Sequence, residues 1–157
     1  IEDIETGPLT EADLLDSDHL HYHGAARVDH AAKVLNIQKG EKVIDIGSGL
    51  GGPAGTVNLT IGSDREQNID VMFRYLAFKY GAHVCAVEIE TGRHQLAQSL
   101  TDRCHLSSHV THVLGDASTV DVTQQGPFDH FVSWLSILHI KNRKRLFDNI
   151  AAHLKQG

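Results

Sequence analysis

Residues 43–52, Val-Ile-Asp-Ile-Gly-Ser-Gly-Leu-Gly-Gly, constrain this chain more than any other stretch. Apolar residues around one acid make a short buried strand, and the glycines behind it let the backbone turn sharply and approach a ligand without a Cβ in the way. Gly47, Gly49 and Gly52 satisfy the spacing G-x-G-x-x-G, a dinucleotide-type loop that is meaningful only between a strand and a helix. Taken alone the spacing is weak, because a glycine-rich turn with no ligand satisfies it equally.

The rest of the chain supplies the context such a loop needs. Short apolar runs predict strands near 43–47, 83–88, 110–114 and 129–135. Helical periodicity lies between them. Val28, Ala31, Ala32 and Leu35 share one face of 25–36. Ile69, Met72, Phe73, Leu76, Ala77 and Tyr80 follow a stripe that starts after a capping box at Ser63–Glu66 and stops at Gly81. Residues 93–104 and 142–157 complete the set, and Thr10 starts a short helix at about 11–16. Strands alternating with helices predict an α/β, Rossmann-like, mostly parallel sheet with flanking helices, in the order 3-2-1-4. Residues 1–39 are expected to form an N-terminal helical cap and residues 40–157 the sheet domain.

Polar features gather where these strands end. Glu88 closes the second strand, and Asp116 follows the third in Leu-Gly-Asp-Ala. Open parallel sheets bind ligands at their carboxyl edge, where an acid such as Glu88 can accept both hydroxyls of a ribose and Asp116 can accept from an adenine amino group. Either acid alone is as well explained as a solvated turn residue. The two together with the loop favour a nucleotide-type ligand.

The stretches "VIDIGSGLGGPA", "AVEIE", "LGDA" and "FDHFVSWLSILHI", in that order, resemble the successive motifs of class I S-adenosylmethionine-dependent methyltransferases. Asp45, two residues before the first glycine, makes the loop more similar to the methyltransferase form than to the nicotinamide form. The likeness is greatest to methyltransferases of small amines, of the sarcosine/dimethylglycine and phosphoethanolamine type. It implies S-adenosyl-L-methionine as cofactor and a small-molecule amine as substrate. It also implies roles: Gly47, Ser48, Gly49 and Gly51 at the methionine part, Glu88 at the ribose, Asp116 and Ala117 at the adenine, and Ser133 with Trp134 where the fourth strand borders the cofactor. His139 matches a position that pairs with an N-terminal tyrosine over the amine, and Tyr22 is the nearest candidate for that partner. A complete relative carries seven strands, so the four visible here imply a C-terminally incomplete sheet with an open apolar edge. An inactive fragment or pseudoenzyme of the family is therefore one alternative.

Composition narrows the partners. A net charge of −6 with no long Lys/Arg-rich run argues against duplex nucleic acid and anionic membrane. No apolar stretch is long enough to span a bilayer, and Cys85 and Cys104 have neither metal spacing nor a disulfide framework, so a reducing, cytoplasmic setting is expected. Twelve histidines, with His19, His21 and His23 alternating after Asp18, raise a metal-dependent hydrolase as a rival. The stretch before them is acidic and helix-like rather than a strand that would fix such ligands, and no metal is expected. An NAD-binding oxidoreductase is the rival for the glycine loop.

One spacing is anomalous. The acid ending the second strand normally follows the glycine loop by about 20 residues. Here Glu88 lies 37 residues after Gly51. Removing residues 55–73 leaves 18 and joins "GGPA" to "RYLAFKYGAHVCAVE", the junction that the resemblance implies. Residues 55–73 are therefore expected to be an insertion where the first helix should start.

Overall fold

A computed structural model describes residues 24–49 and 72–156. Strands β1 (Lys42–Ile46), β2 (His83–Glu88), β3 (Val110–Leu114) and β4 (His130–Val132) form one parallel sheet in the order β3-β2-β1-β4, as expected. The register runs from Lys42↔His83 to Ile46↔Val87 between β1 and β2, and from Val43↔His130 to Asp45↔Val132 between β1 and β4. Val84↔Val110 through Glu88↔Leu114 joins β2 to β3. All four strands therefore end at the same edge, at Ile46, Glu88, Leu114 and Val132.

Side-chain alternation sends successive residues to opposite faces of the sheet, and each face has its own core. Val43, Val84, Ala86, Val110 and Val132 pack under helices α1 (Gly24–Val34), α2 (Met72–Tyr80) and α3 (Thr91–Arg103). Ile44, Ile46, Cys85 and Val87 pack under Leu146 and Ile150 of α4 (Arg143–His153), with Val122 and Phe128 from the β3–β4 connection. The central strands are buried on both sides, which is why they are continuous apolar runs rather than alternating ones.

The helices follow their apolar stripes. Val28 and Ala32 of α1 are buried, and α1 is clamped to α2 by polar contacts: Lys79 Nζ donates to both Asp29 oxygens at 2.9 and 2.8 Å, and Tyr80 donates to Asp29 at 2.7 Å. Gly81 closes α2 in the left-handed conformation (φ +64), where its N–H donates to Ala77 and that of Ala82 to Leu76. Met72 and Phe73 are fully buried on α2. They are thus core side chains, although the spacing argument assigned them to the end of the insertion. Between α3 and β3 lies a polar contact: the Thr101 hydroxyl donates to Ala97 O at 3.0 Å and meets His112 Nε2 at 2.8 Å. Burial, aided by the Arg74 charge, pushes His112 down to about 4.

Three of the boundaries that differ from expectation have an evident cause. Helix α3 starts at Thr91 rather than 93, because the Glu90 carboxylate caps it and accepts from Gly92 N and Arg93 N at 2.8 and 2.7 Å. Helix α4 stops at His153 rather than running to 157. Leu154 instead lies parallel to Phe128, with Phe128 N donating to His153 O and Lys155 N to Phe128 O. Strand β4 covers only His130–Val132, not 129–135. Beyond it the chain bends through Leu135 (φ +58) into a 3₁₀ turn at Ile137–His139, so the run Trp134–Leu138 is a turn that packs Trp134 against one core and Ile137 against the other and leaves Leu135 and Leu138 exposed. The helix expected at 11–16, the cap at Ser63–Glu66, Tyr22, Gly51 and residues 55–71 lie outside the described residues.

Candidate functional site

The carboxyl edge of the sheet is built around the end of β1. Asp45 is 1% exposed on the face it shares with Val43, and burial, aided by the Asp45 charge, pushes the Cys85 thiol up to about 12. Past Ile46 the ladder to β2 continues for two residues, with Gly47 N and Ser48 N both donating to Val87 O at 2.9 and 3.0 Å. Gly47 and Gly49 take positive φ values of +68 and +48, which L side chains adopt only at a cost. A Cβ at Gly47 would fall 2.3 Å from Ser136 Cβ and 2.5 Å from its Oγ. The sequence argument reserved that space for a ligand. Ser136 of this chain fills it.

Glu88 faces the loop from the end of β2. Its side chain is buried, with Oε2 accepting from Gly49 N at 2.8 Å and Oε1 from Glu90 N at 2.8 Å. The carboxylate thus joins the glycine loop to the start of α3. An ionised carboxylate offers about four acceptor positions, so two amides leave room for further donors. Asp116, on the surface after β3, accepts from the amide and the hydroxyl of Ser118 at 2.8 Å through Oδ1, and these bonds hold its carboxyl below the usual range. Ala117 beside it is buried, and its carbonyl accepts from Asn149 of α4 at 2.9 Å.

The turn after β4 forms the other wall. Ser133 Oγ and Ser136 Oγ both reach Ile46 O, at 2.9 and 2.6 Å, and lie 2.5 Å apart. Ser133 therefore spends its hydroxyl on β1 rather than projecting it from the edge. His139 ends the 3₁₀ turn and is exposed. Arg143 holds that turn, donating from Nε to Ile137 O at 3.3 Å and from its guanidinium to Leu138 O at 3.2 Å. Two buried polar atoms here, Ser48 Oγ and Trp134 Nε1, have no hydrogen-bond partner among the described residues. Buried polar atoms of this kind are ordinarily hydrogen-bonded, so their partners lie beyond the described residues.

The structure thus gathers Asp45, Gly47, Ser48, Gly49, Glu88, Asp116, Ala117, Ser133 and His139 at the ends and end-loops of four adjacent strands. Sequence reasoning missed Ser136 and Arg143. No spacing rule marks either, since each acts through a carbonyl of a residue distant or unremarkable in sequence. Among the described residues no three His, Cys, Asp or Glu side chains come together to hold a metal ion. His19, His21 and His23 lie outside those residues.

A parallel α/β sheet with a glycine loop and strand-end acids at one edge is a nucleotide-cofactor fold. The chain belongs to the methyltransferase-domain family, whose profile matches residues 71–157. That match begins beyond the glycine loop, so the loop rests on its own geometry. Phosphoethanolamine N-methyltransferase 1 of Zea mays is 26% identical over 154 residues, or 97% of this chain and 26% of that protein. The chain therefore spans about a quarter of the curated relative it matches. Among solved structures, coclaurine N-methyltransferase bound to N-methylheliamine and SAH superposes with a TM-score of 0.63 at 20% identity, covering 99% of this chain and 36% of that one. The cyclase SpnF gives 0.64 at 19% identity, covering 84% and 41%. Likenesses at that identity establish the shared fold, and the cyclase marks how far chemistry varies upon it.

Proposed function

We propose that this chain binds S-adenosyl-L-methionine at its carboxyl edge and serves transfer of the methyl group to a small-molecule amine. The observation that carries the cofactor is the buried Glu88 carboxylate drawn against the amide of Gly49, one residue-wide gap from the left-handed Gly47. Its two remaining acceptor positions suit a pair of ribose hydroxyls. In this proposal Ser48 supplies its orphan hydroxyl to the methionine part, beside Gly47, Gly49 and Gly51, and Asp45 shapes the loop from beneath. Asp116 and Ala117 border the adenine, and Ser133 closes the β4 side.

When bound, the cofactor supplies a methyl group already activated on a sulfonium. The chain's own work is then to orient the amine in line and to exclude water. Removing a proton from an ammonium substrate asks for a base, and exposed His139 at the edge is the proposed one. Tyr22 is its proposed partner on the strength of the sequence alone. The amine class is supported by the similarity to a phosphoethanolamine methyltransferase and by the motif resemblance. Cys85 and Cys104, both free thiols, accord with the proposed cytoplasmic setting.

Calorimetry tests the cofactor directly. S-adenosylhomocysteine is expected to give saturable heat with this chain and NAD none. Heat with NAD alone would instead place the chain among nicotinamide-binding proteins.

A further inference from the structure

We propose that Ser136 is the positioning residue of the glycine loop, a role that rests on the cofactor assignment above. Its Oγ reaches Ile46 O at 2.6 Å, the carbonyl immediately before Gly47, and its Cβ occupies the place that a side chain at Gly47 would take. One side chain therefore fixes both the carbonyl that leads into the loop and the steric wall behind its first glycine.

The two serines have one proton each for three contacts. Ser136, the nearer to Ile46 O, is the direct donor, and Ser133 at 2.9 Å shares the same carbonyl or donates to Ser136 Oγ at 2.5 Å. The backbone pays for this arrangement next door. Leu135 is held at φ +58 with half its side chain in solvent, so burial of Leu135 does not offset the strain. Such strain persists where neighbouring contacts over-determine the geometry. Those contacts are the serine pair on one side and Arg143 on the other, with His139 N donating to Ser136 O at 3.0 Å between them. Gly47–Gly49 and the turn carrying His139 are thus joined through Ser136. The loop that holds the methyl donor and the histidine on the acceptor side are set relative to each other through it.

Ser136→Ala keeps the Cβ wall and removes the hydroxyl, and Ser136→Thr restores a hydroxyl. Two readouts are taken on the intact chain well below its unfolding temperature: calorimetric Kd for S-adenosylhomocysteine, and hydrogen exchange at the Gly47 amide, which donates to Val87 O. A net hydrogen bond of about 1 kcal/mol sets the expected size, so Ser136→Ala should weaken binding about fivefold to tenfold. It should also speed exchange at Gly47, and Ser136→Thr should lie within about twofold of the parent, since 0.4 kcal/mol is about twofold. A Ser136→Ala variant that melts earlier yet keeps its Kd and Gly47 exchange overturns the proposal, leaving Ser136 a packing residue only. If the parent chain gives no heat with S-adenosylhomocysteine, the cofactor assignment falls. The exchange arm then still decides whether Ser136 seats the loop, with unchanged exchange overturning it.

Discussion

Replacing Glu88 by glutamine tests the joint between the glycine loop and β2. The two side chains are nearly isosteric, yet their hydrogen-bonding capacities differ where it matters. Both Glu88 oxygens accept a backbone N–H, from Gly49 and from Glu90. Glutamine has one acceptor oxygen, and its amide NH₂ is a donor. Whichever way it is turned, one backbone N–H faces another donor. The Gly49 bond is buried and the Glu90 bond only partly so, which directs the oxygen to Gly49 and leaves Glu90 N–H to find water. Leaving a buried donor unsatisfied costs about 1–3 kcal/mol, so the partly exposed Glu90 amide puts the loss near 1 kcal/mol. Exchanging a charged acceptor for a neutral one at Gly49 adds up to about 1 kcal/mol more. Urea unfolding of Glu88→Gln should therefore show about 1–2 kcal/mol lost at unchanged m-value. Affinity for S-adenosylhomocysteine should fall at least about tenfold, since 1.4 kcal/mol is a factor of ten. Stability and affinity within experimental error of the parent would refute the two-acceptor account of Glu88.

Gly47→Ala should destabilise the chain by about 1–2 kcal/mol from left-handed strain alone, with a further loss from the collision with Ser136. A double-mutant cycle with Ser136→Gly should recover the collision and leave the strain. The pH dependence should carry a His112 signature. Its folded pKa is lowered to about 4 against an unfolded value near 6.5, so the unfolded chain takes up the proton first. Stability from this group is present above pH 6.5, is lost as pH falls towards 4, and levels off below. Allowing for screening of a partly exposed ring, the loss is on the order of 1–2 kcal/mol, and His112→Gln should flatten that portion of a urea-midpoint profile. Lys79→Met should lower the urea midpoint by releasing α1 from α2, with the far-UV spectrum of the remaining helices retained. Deleting residues 55–71 should give a more stable chain than deleting 55–73, because the longer cut removes Met72 and Phe73, whose burial is worth about 2–5 kcal/mol each. Thermal melts of the two deletions compare them directly.

The strand–helix alternation and the strand-end acids were legible in the sequence because they rest on local chemistry, and the strand order followed only from the Rossmann-like class that the alternation implies. A segment such as Val43–Ile46, three large aliphatics around one acid, finds its place as a buried strand, and Gly81 has its helix-ending conformation at hand without help from the rest of the chain. The resemblance found the carboxyl-edge residues for the same reason, since loop and acids sit at fixed places along contiguous motifs. What the tertiary structure decided are the points where distant segments compete for one space or one carbonyl. The run Ser133–Leu138 has the composition of a strand, but Ile46 O lies within reach of two serine hydroxyls, and Trp134 and Ile137 each find a different core. Helix α4 has periodicity to its end, but the Phe128 backbone pairs with His153 O and Lys155 N on either side of Leu154 and draws the chain out of the helix. The glycine at 47 is readable as a glycine-loop position from sequence alone. That its missing Cβ makes way for Ser136, 89 residues on, is a fact of three-dimensional packing that no local pattern carries.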